Sequence, residues 1–219
     1  MKSFYGRRCA KGSSKSFVSQ IKNDLIYFDA ESAKNKIIKF KSKYKKISLE
    51  IGFGMGHYLV SHAKDKPNEG IIGCDPFING NMYIVKSAKN DFLKNLLITN
   101  LDFETLLTFL ENLKFLNVFI FFPDPWKKRR HNKRRLINYR MTNLLSQILE
   151  KGGKVNIITD DKDYWDQIIS VFSSNKKFSF LSKLNYKSKN NLNFFKTKYS
   201  QKALEGKKKT YFNSFQLTQ

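Results

Sequence analysis

Acidic residues are scarce in this chain: 18 Asp and Glu stand against 41 Lys and Arg in 219 residues, a formal net charge of +23. Such an imbalance costs the compact state self-repulsion and suits a protein with a polyanionic partner, nucleic acid first and an anionic membrane surface second. Long apolar runs are missing too. The longest, around Leu116 to Phe122, falls far short of the ~20 residues a membrane-spanning helix needs, and no basic amphipathic helix stands out, so no membrane partner is expected. Cysteine is nearly absent. Cys9 and Cys74 are isolated, which excludes a disulfide framework, and neither shares a zinc-binding spacing with His57, His62 or His131. No metal is expected, and these histidines read as packing or surface residues.

The amino-terminal stretch carries no acid before Asp24, and Arg7-Arg8 has the look of a twin-arginine signal. No apolar segment follows that pair, so a cytoplasmic protein is expected. Residues 1–17 read as a basic arm that needs no order of its own, ahead of a single domain over residues 18–219. Val18, Ile21, Leu25 and Ile26 read as one face of an amphipathic helix. From Ile47 onward short apolar runs alternate with amphipathic stretches. Strands are predicted at 47–51, 70–74, 96–99, 118–122 and 155–159. Helices are predicted at 55–64, 80–92, 103–113, 133–151 and 164–172, the long one stopped by Gly152-Gly153. This alternation is that of a doubly wound, mostly parallel α/β sheet. Period-two alternation near Phe178-Phe180 and Tyr211-Phe215 adds antiparallel strands on either side of a polar excursion.

The run Glu50-Ile51-Gly52-Phe53-Gly54-Met55-Gly56 sets a strand, a glycine-rich turn and a helix start in sequence. Its G-x-G-x-G spacing departs from the dinucleotide fingerprint, and Glu50 would repel a pyrophosphate, so a nicotinamide oxidoreductase is disfavoured. An acid there suits a positively charged ligand, such as the ammonium and sulfonium of S-adenosylmethionine. Asp75 ends the second predicted strand, where a carboxylate can accept ribose hydroxyls, and Asp102 ends the third, where it can meet an adenine edge. Either aspartate alone reads equally well as a helix N-cap; three acids together with the glycines favour a ligand crevice.

The most specific stretch is Phe122-Pro123-Asp124-Pro125-Trp126, followed by seven cations and no acid from Lys127 through Arg135. Two prolines rigidify the exit from an apolar strand around one carboxylate. The cations read as phosphate contacts. Trp126 suits either stacking on an extruded base or packing beneath the loop. Asp160-Asp161 suits an N-cap pair.

With Thr159-Asp160, Thr197-Lys198-Tyr199 and Phe4-Tyr5-Gly6-Arg7-Arg8, these motifs closely resemble the bacterial tRNA (guanine-N7-)-methyltransferase family over nearly the whole chain. The resemblance implies a seven-stranded Rossmann-like methyltransferase sheet with helices on both faces. It implies methyl transfer from S-adenosylmethionine to N7 of a guanosine in the variable loop of tRNA. It places the cofactor acids at Glu50, Asp75 and Asp102, beside Gly52, Gly54 and Gly56. The active-site acid, which also touches the cofactor, falls on Asp124, and substrate contacts fall on Lys128, Asp160, Thr197, Lys198, Tyr199 and Ser200. Ser200 departs from the family, which usually has an acid there. The alternative is a non-catalytic RNA-binding protein with a methyltransferase-like fold; a monomer and a homodimer are both compatible.

Overall fold

A computed structural model describes residues 5, 6, 8–10, 16–186 and 209–218. The chain divides into two compact units, Met1–Leu113 and Lys114–Gln219.

The first unit runs α1 (Ser16–Ile21), β1 (Tyr27–Phe28), α2 (Ala33–Lys43), β2 (Ile47–Ile51), α3 (His57–Asp65), β3 (Gly70–Cys74), α4 (Ile78–Asn90), β4 (Leu96–Thr99) and α5 (Phe103–Leu110). Its strands are parallel in the order β1-β4-β3-β2. Every residue of β2, β3 and β4 is buried, as parallel strands covered on both faces require. Glycine at 73 lets α3 approach the sheet, since a Cβ there would lie 2.4 Å from Leu59 and 2.8 Å from Phe53.

The second unit runs β5 (Phe115–Phe121), a 3₁₀ helix (Arg129–Arg134), α6 (Tyr139–Ile148), β6 (Leu149–Thr159), α7 (Lys162–Ser173), β7 (Phe178–Tyr186) and β8 (Thr210–Leu217). Its strand order is β5-β6-β8-β7, with β5 and β6 parallel and both pairings of β8 antiparallel. The core beneath α7 is aromatic: Phe172 stacks on Phe215 with ring centroids 3.9 Å apart, and Trp165 stacks on Tyr211 at 4.8 Å.

The mixed α/β, Rossmann-like class expected from sequence is present, with eight strands rather than seven among the described residues. The additional one, β1, has only two residues, too short to register as a hydrophobic period. The long helix expected over 133–151 is a 3₁₀ turn, an extended link and the shorter α6. Asn138 starts α6 by accepting a hydrogen bond from the Met141 amide at 3.0 Å. Gly152-Gly153 stops no helix. It lies inside β6, where Gly152 takes φ 79 and Gly153 leaves room for Phe115 O, which a Cβ would meet at 3.0 Å. The amphipathic helix expected through Ile26 ends at Ile21, and Leu25 is 90% exposed.

Candidate functional site

In the first unit, β2 leads into a turn where Gly52, Gly54 and Gly56 all take left-handed φ of 77, 55 and 72, a region open to glycine at no steric cost. Their surroundings differ. A Cβ on Gly52 or Gly54 would meet nothing within 4 Å, whereas one on Gly56 would strike Ile84 at 2.2 Å. Gly52 and Gly54 therefore border open space, and Gly56 serves close packing of α4. Asp75 fixes the turn: one carboxylate oxygen accepts from the Gly54 amide at 2.7 Å, the other from the Phe77 amide at 2.8 Å. The Asn81 amide adds bonds to the carbonyls of Asp75 and Phe77 at 3.1 and 3.3 Å. Gly80 lets the first turn of α4 lie directly against the loop, because a Cβ there would sit 1.7 Å from Gly54 O. Gly80→Ala is accordingly expected to cost roughly 1–3 kcal/mol of stability, read as a lower urea midpoint at unchanged slope.

Glu50 projects from β2 beside this turn and is 2% exposed. Its Oε2 atom is buried with no hydrogen-bond partner. Burial, and secondarily the Asp75 carboxylate, hold the Glu50 carboxyl well above its ordinary range. An orphaned acid oxygen beside a glycine turn that borders open space fits a ligand that brings a hydrogen-bond donor or a positive charge. Asp102 is committed elsewhere. It caps α5, accepting from the Thr105 amide at 3.1 Å and from the Thr105 hydroxyl at 3.0 Å. Asp102 thus takes the N-cap role, whereas Asp75 holds the loop. Cys74 is a buried free thiol in β3. Burial also holds His62 down to about 4. Among the described residues no His, Cys, Asp and Glu cluster could hold a metal ion.

In the second unit, β5 opens into the Pro123-Asp124-Pro125 segment, bracketed by Phe122 at φ 50 and Trp126 at φ 46. Two side-chain-bearing residues in the left-handed region within five positions mark backbone strain of the kind held at functional sites. Asp124 is exposed. Lys127, Lys128, Arg129, Arg130 and Lys133 are exposed as well. Trp126 is half-buried, with the Arg134 guanidinium 5.0 Å from its ring and His131 edge-on at 5.8 Å. One of the seven cations is not a surface group at all. Arg135 is 3% exposed and turns inward, its Nε donating to Pro125 O at 2.7 Å and its Nη1 to Gln167 Oε1 at 2.7 Å. Asp161 caps α7 by accepting from the Tyr164 amide at 2.9 Å, which leaves Asp160 exposed and outside the cap.

Glu50, Gly52, Gly54 and Asp75 are gathered in the first unit, and Asp124, Lys128 and Asp160 belong to the second. Thr197, Lys198, Tyr199 and Ser200 lie outside the described residues. Sequence reasoning missed Gly80, Asn81 and the inward turn of Arg135. The first two carry no signal in a single sequence, and Arg135 was hidden in a run of like charges.

A parallel α/β sheet with a glycine turn and acids at successive strand ends defines the class of S-adenosylmethionine-dependent methyltransferases. The fold matches a 16S rRNA methyltransferase, KamB, with TM-score 0.64 and 10% identity over 84% of this chain and 94% of that one. A family model described as "Putative methyltransferase" matches residues 44–213. The tRNA (guanine-N(7)-)-methyltransferase of Bartonella henselae is 33% identical over 96% of this chain and 94% of its own length. The chain belongs to the tRNA (guanine-N7-)-methyltransferase family. It is also 32% identical, over 91% of its length, to a bifunctional methyltransferase of Rickettsia typhi, of which it spans only 38%. No helix among the described residues is long and apolar enough to cross a membrane.

Proposed function

We propose that this chain transfers the methyl group of S-adenosylmethionine to N7 of a guanosine in the variable loop of tRNA. The observation that carries this reading is the exposed carboxylate of Asp124, clamped between prolines and left-handed residues at the head of an exposed run of cations. Guanine N7 presents an in-plane lone pair and no proton, so its methylation needs no general base. Positioning and electrostatics supply the acceleration instead. Bound in the first unit, the donor supplies an electrophilic methyl group on a cationic sulfur.

Glu50 and the Gly52–Gly54 turn hold the donor there, with Asp75 fixing the turn and Asp102 at the adjoining strand end. Asp124 accepts hydrogen bonds from the amino and imino edge of guanine and stabilises the positive charge the ring acquires. Lys127 to Arg130 and Lys133 contact tRNA phosphates, with Lys128 nearest the reacting nucleotide. Asp160 and the segment Thr197-Lys198-Tyr199-Ser200 complete the substrate contacts. The test is incubation of the purified protein with labelled donor and tRNA, followed by mapping of the modified nucleoside. Label in 7-methylguanosine of the variable loop is the expected result; label elsewhere, or none, rejects the reading.

A further inference from the structure

Arg135 ends a cationic run yet points away from solvent. Its guanidinium donates to the carbonyl of Pro125, to Gln167 Oε1 and to Asp163 Oδ2, and lies 4.9 Å from the centre of the Tyr164 ring. Tyr164 is itself fully buried, and its hydroxyl accepts from the Ile137 amide at 2.9 Å. Gln167 donates in turn to Ile137 O at 2.9 Å. One planar fork therefore ties the strained loop to the first two turns of α7, touching the residue directly after Asp124.

We propose that Arg135 is a positioning residue for methyl transfer: by gripping Pro125 O it fixes where the Asp124 carboxylate stands. This rests on the role of Asp124 proposed above. The fixed five-donor geometry of a guanidinium matters, because a lysine ammonium keeps the charge but cannot reach three acceptors set around one plane. Phe122 and Trp126 hold unfavourable backbone angles that relax when their surroundings loosen. Without the fork the loop has a nearby lower-energy path, and Asp124 drifts. A displacement on the order of 1 Å can cost ~100-fold in rate.

The experiment compares wild type, Arg135→Lys and Asp163→Asn in steady-state methylation of tRNA, donor-binding calorimetry and amide hydrogen exchange. Arg135→Lys is expected to lower kcat by about 10- to 100-fold, with the KM for tRNA and the donor Kd within about threefold. Exchange at His131 and Arg135, whose amides donate to Lys128 O at 2.7 Å and Asn132 O at 3.0 Å, speeds up while that of β5 and β6 holds. Asp163 is 76% exposed as a side chain, so Asp163→Asn keeps the fold should Arg135→Lys not, and it shows a smaller kcat loss of the same kind. An unchanged kcat overturns the proposal. So does a raised KM for tRNA with a shallower salt dependence at retained kcat, which makes Arg135 a phosphate contact. If wild type methylates no tRNA, the assigned function fails on its own account, and loop exchange decides whether Arg135 positions Asp124.

Discussion

Asp124→Asn is expected to lower kcat for tRNA methylation by roughly 10²–10³-fold, the scale on which a single well-placed electrostatic contact to the transition state is worth. Asparagine keeps the shape and one acceptor oxygen but loses the charge that offsets the cationic methylated purine. Its amide also presents donors where guanine presents donors. Folding is spared, since the Asp124 side chain is exposed and the backbone angles around it are set by two prolines and by Arg135. The unfolding free energy is expected to stay within about 0.5 kcal/mol of wild type, as for surface changes generally. Initial rates with saturating tRNA and donor check this, alongside urea denaturation. A variant that keeps more than a tenth of the wild-type kcat removes Asp124 from the chemistry.

Glu50→Gln should move stability and binding in opposite directions. The folded-state carboxyl titrates well above its ordinary 4.5, chiefly through burial. The unfolded chain therefore releases this proton first as pH rises. Stability is full below the ordinary carboxylate range and declines through the interval up to the folded-state value. Glutamine removes that decline, so the variant's Tm exceeds that of wild type at about pH 8 and approaches it near pH 4. The same change deprives the donor of an anionic partner. Charge-assisted hydrogen bonds contribute about 1.5–3 kcal/mol, so the donor Kd is expected to weaken roughly 10- to 100-fold by calorimetry. Equal Tm values across that pH span, or an unchanged Kd, contradict the assignment of Glu50 as a buried acid kept for a cationic ligand.

Much of this was legible in the chain itself. Buried parallel strands announce themselves as short Ile, Leu and Val runs, which is why β2, β3 and β4 fall where periodicity places them. The glycine turn and Glu50 were legible because each violates the rule for an ordinary turn or strand. The segment 133–151 was not, since its helix-forming residues carry no mark of the extended link that Asn138 terminates. Gly152-Gly153 misled for a similar reason: glycine signals an unusual backbone angle, and both a helix end and a strand irregularity use one. Asp102 is the instructive case among the acids. Its position at a strand end and its use as a helix cap are the same fact, since the α5 cap begins where the β4 loop ends. Which of seven like charges turns inward is decided by Asp163 and Gln167, some thirty residues further on, beyond the reach of any local pattern.

Described residues of the amino-terminal segment meet the start of α4. The Ile78 amide donates to Arg8 O at 3.0 Å, and the Ala10 amide donates to Asn79 Oδ1 at 2.9 Å. The first bond satisfies the opening amide of α4 and the second ties the segment to the Asn79 side chain, just ahead of Gly80 and Asn81, which buttress the glycine turn. Shortening the chain ahead of Ser16, the usual way to ask whether a basic tail helps capture RNA, thus also strips a support from beneath the glycine turn proposed to hold the methyl donor. A drop in activity after such trimming carries two causes, and titration of the trimmed protein with donor alone separates them.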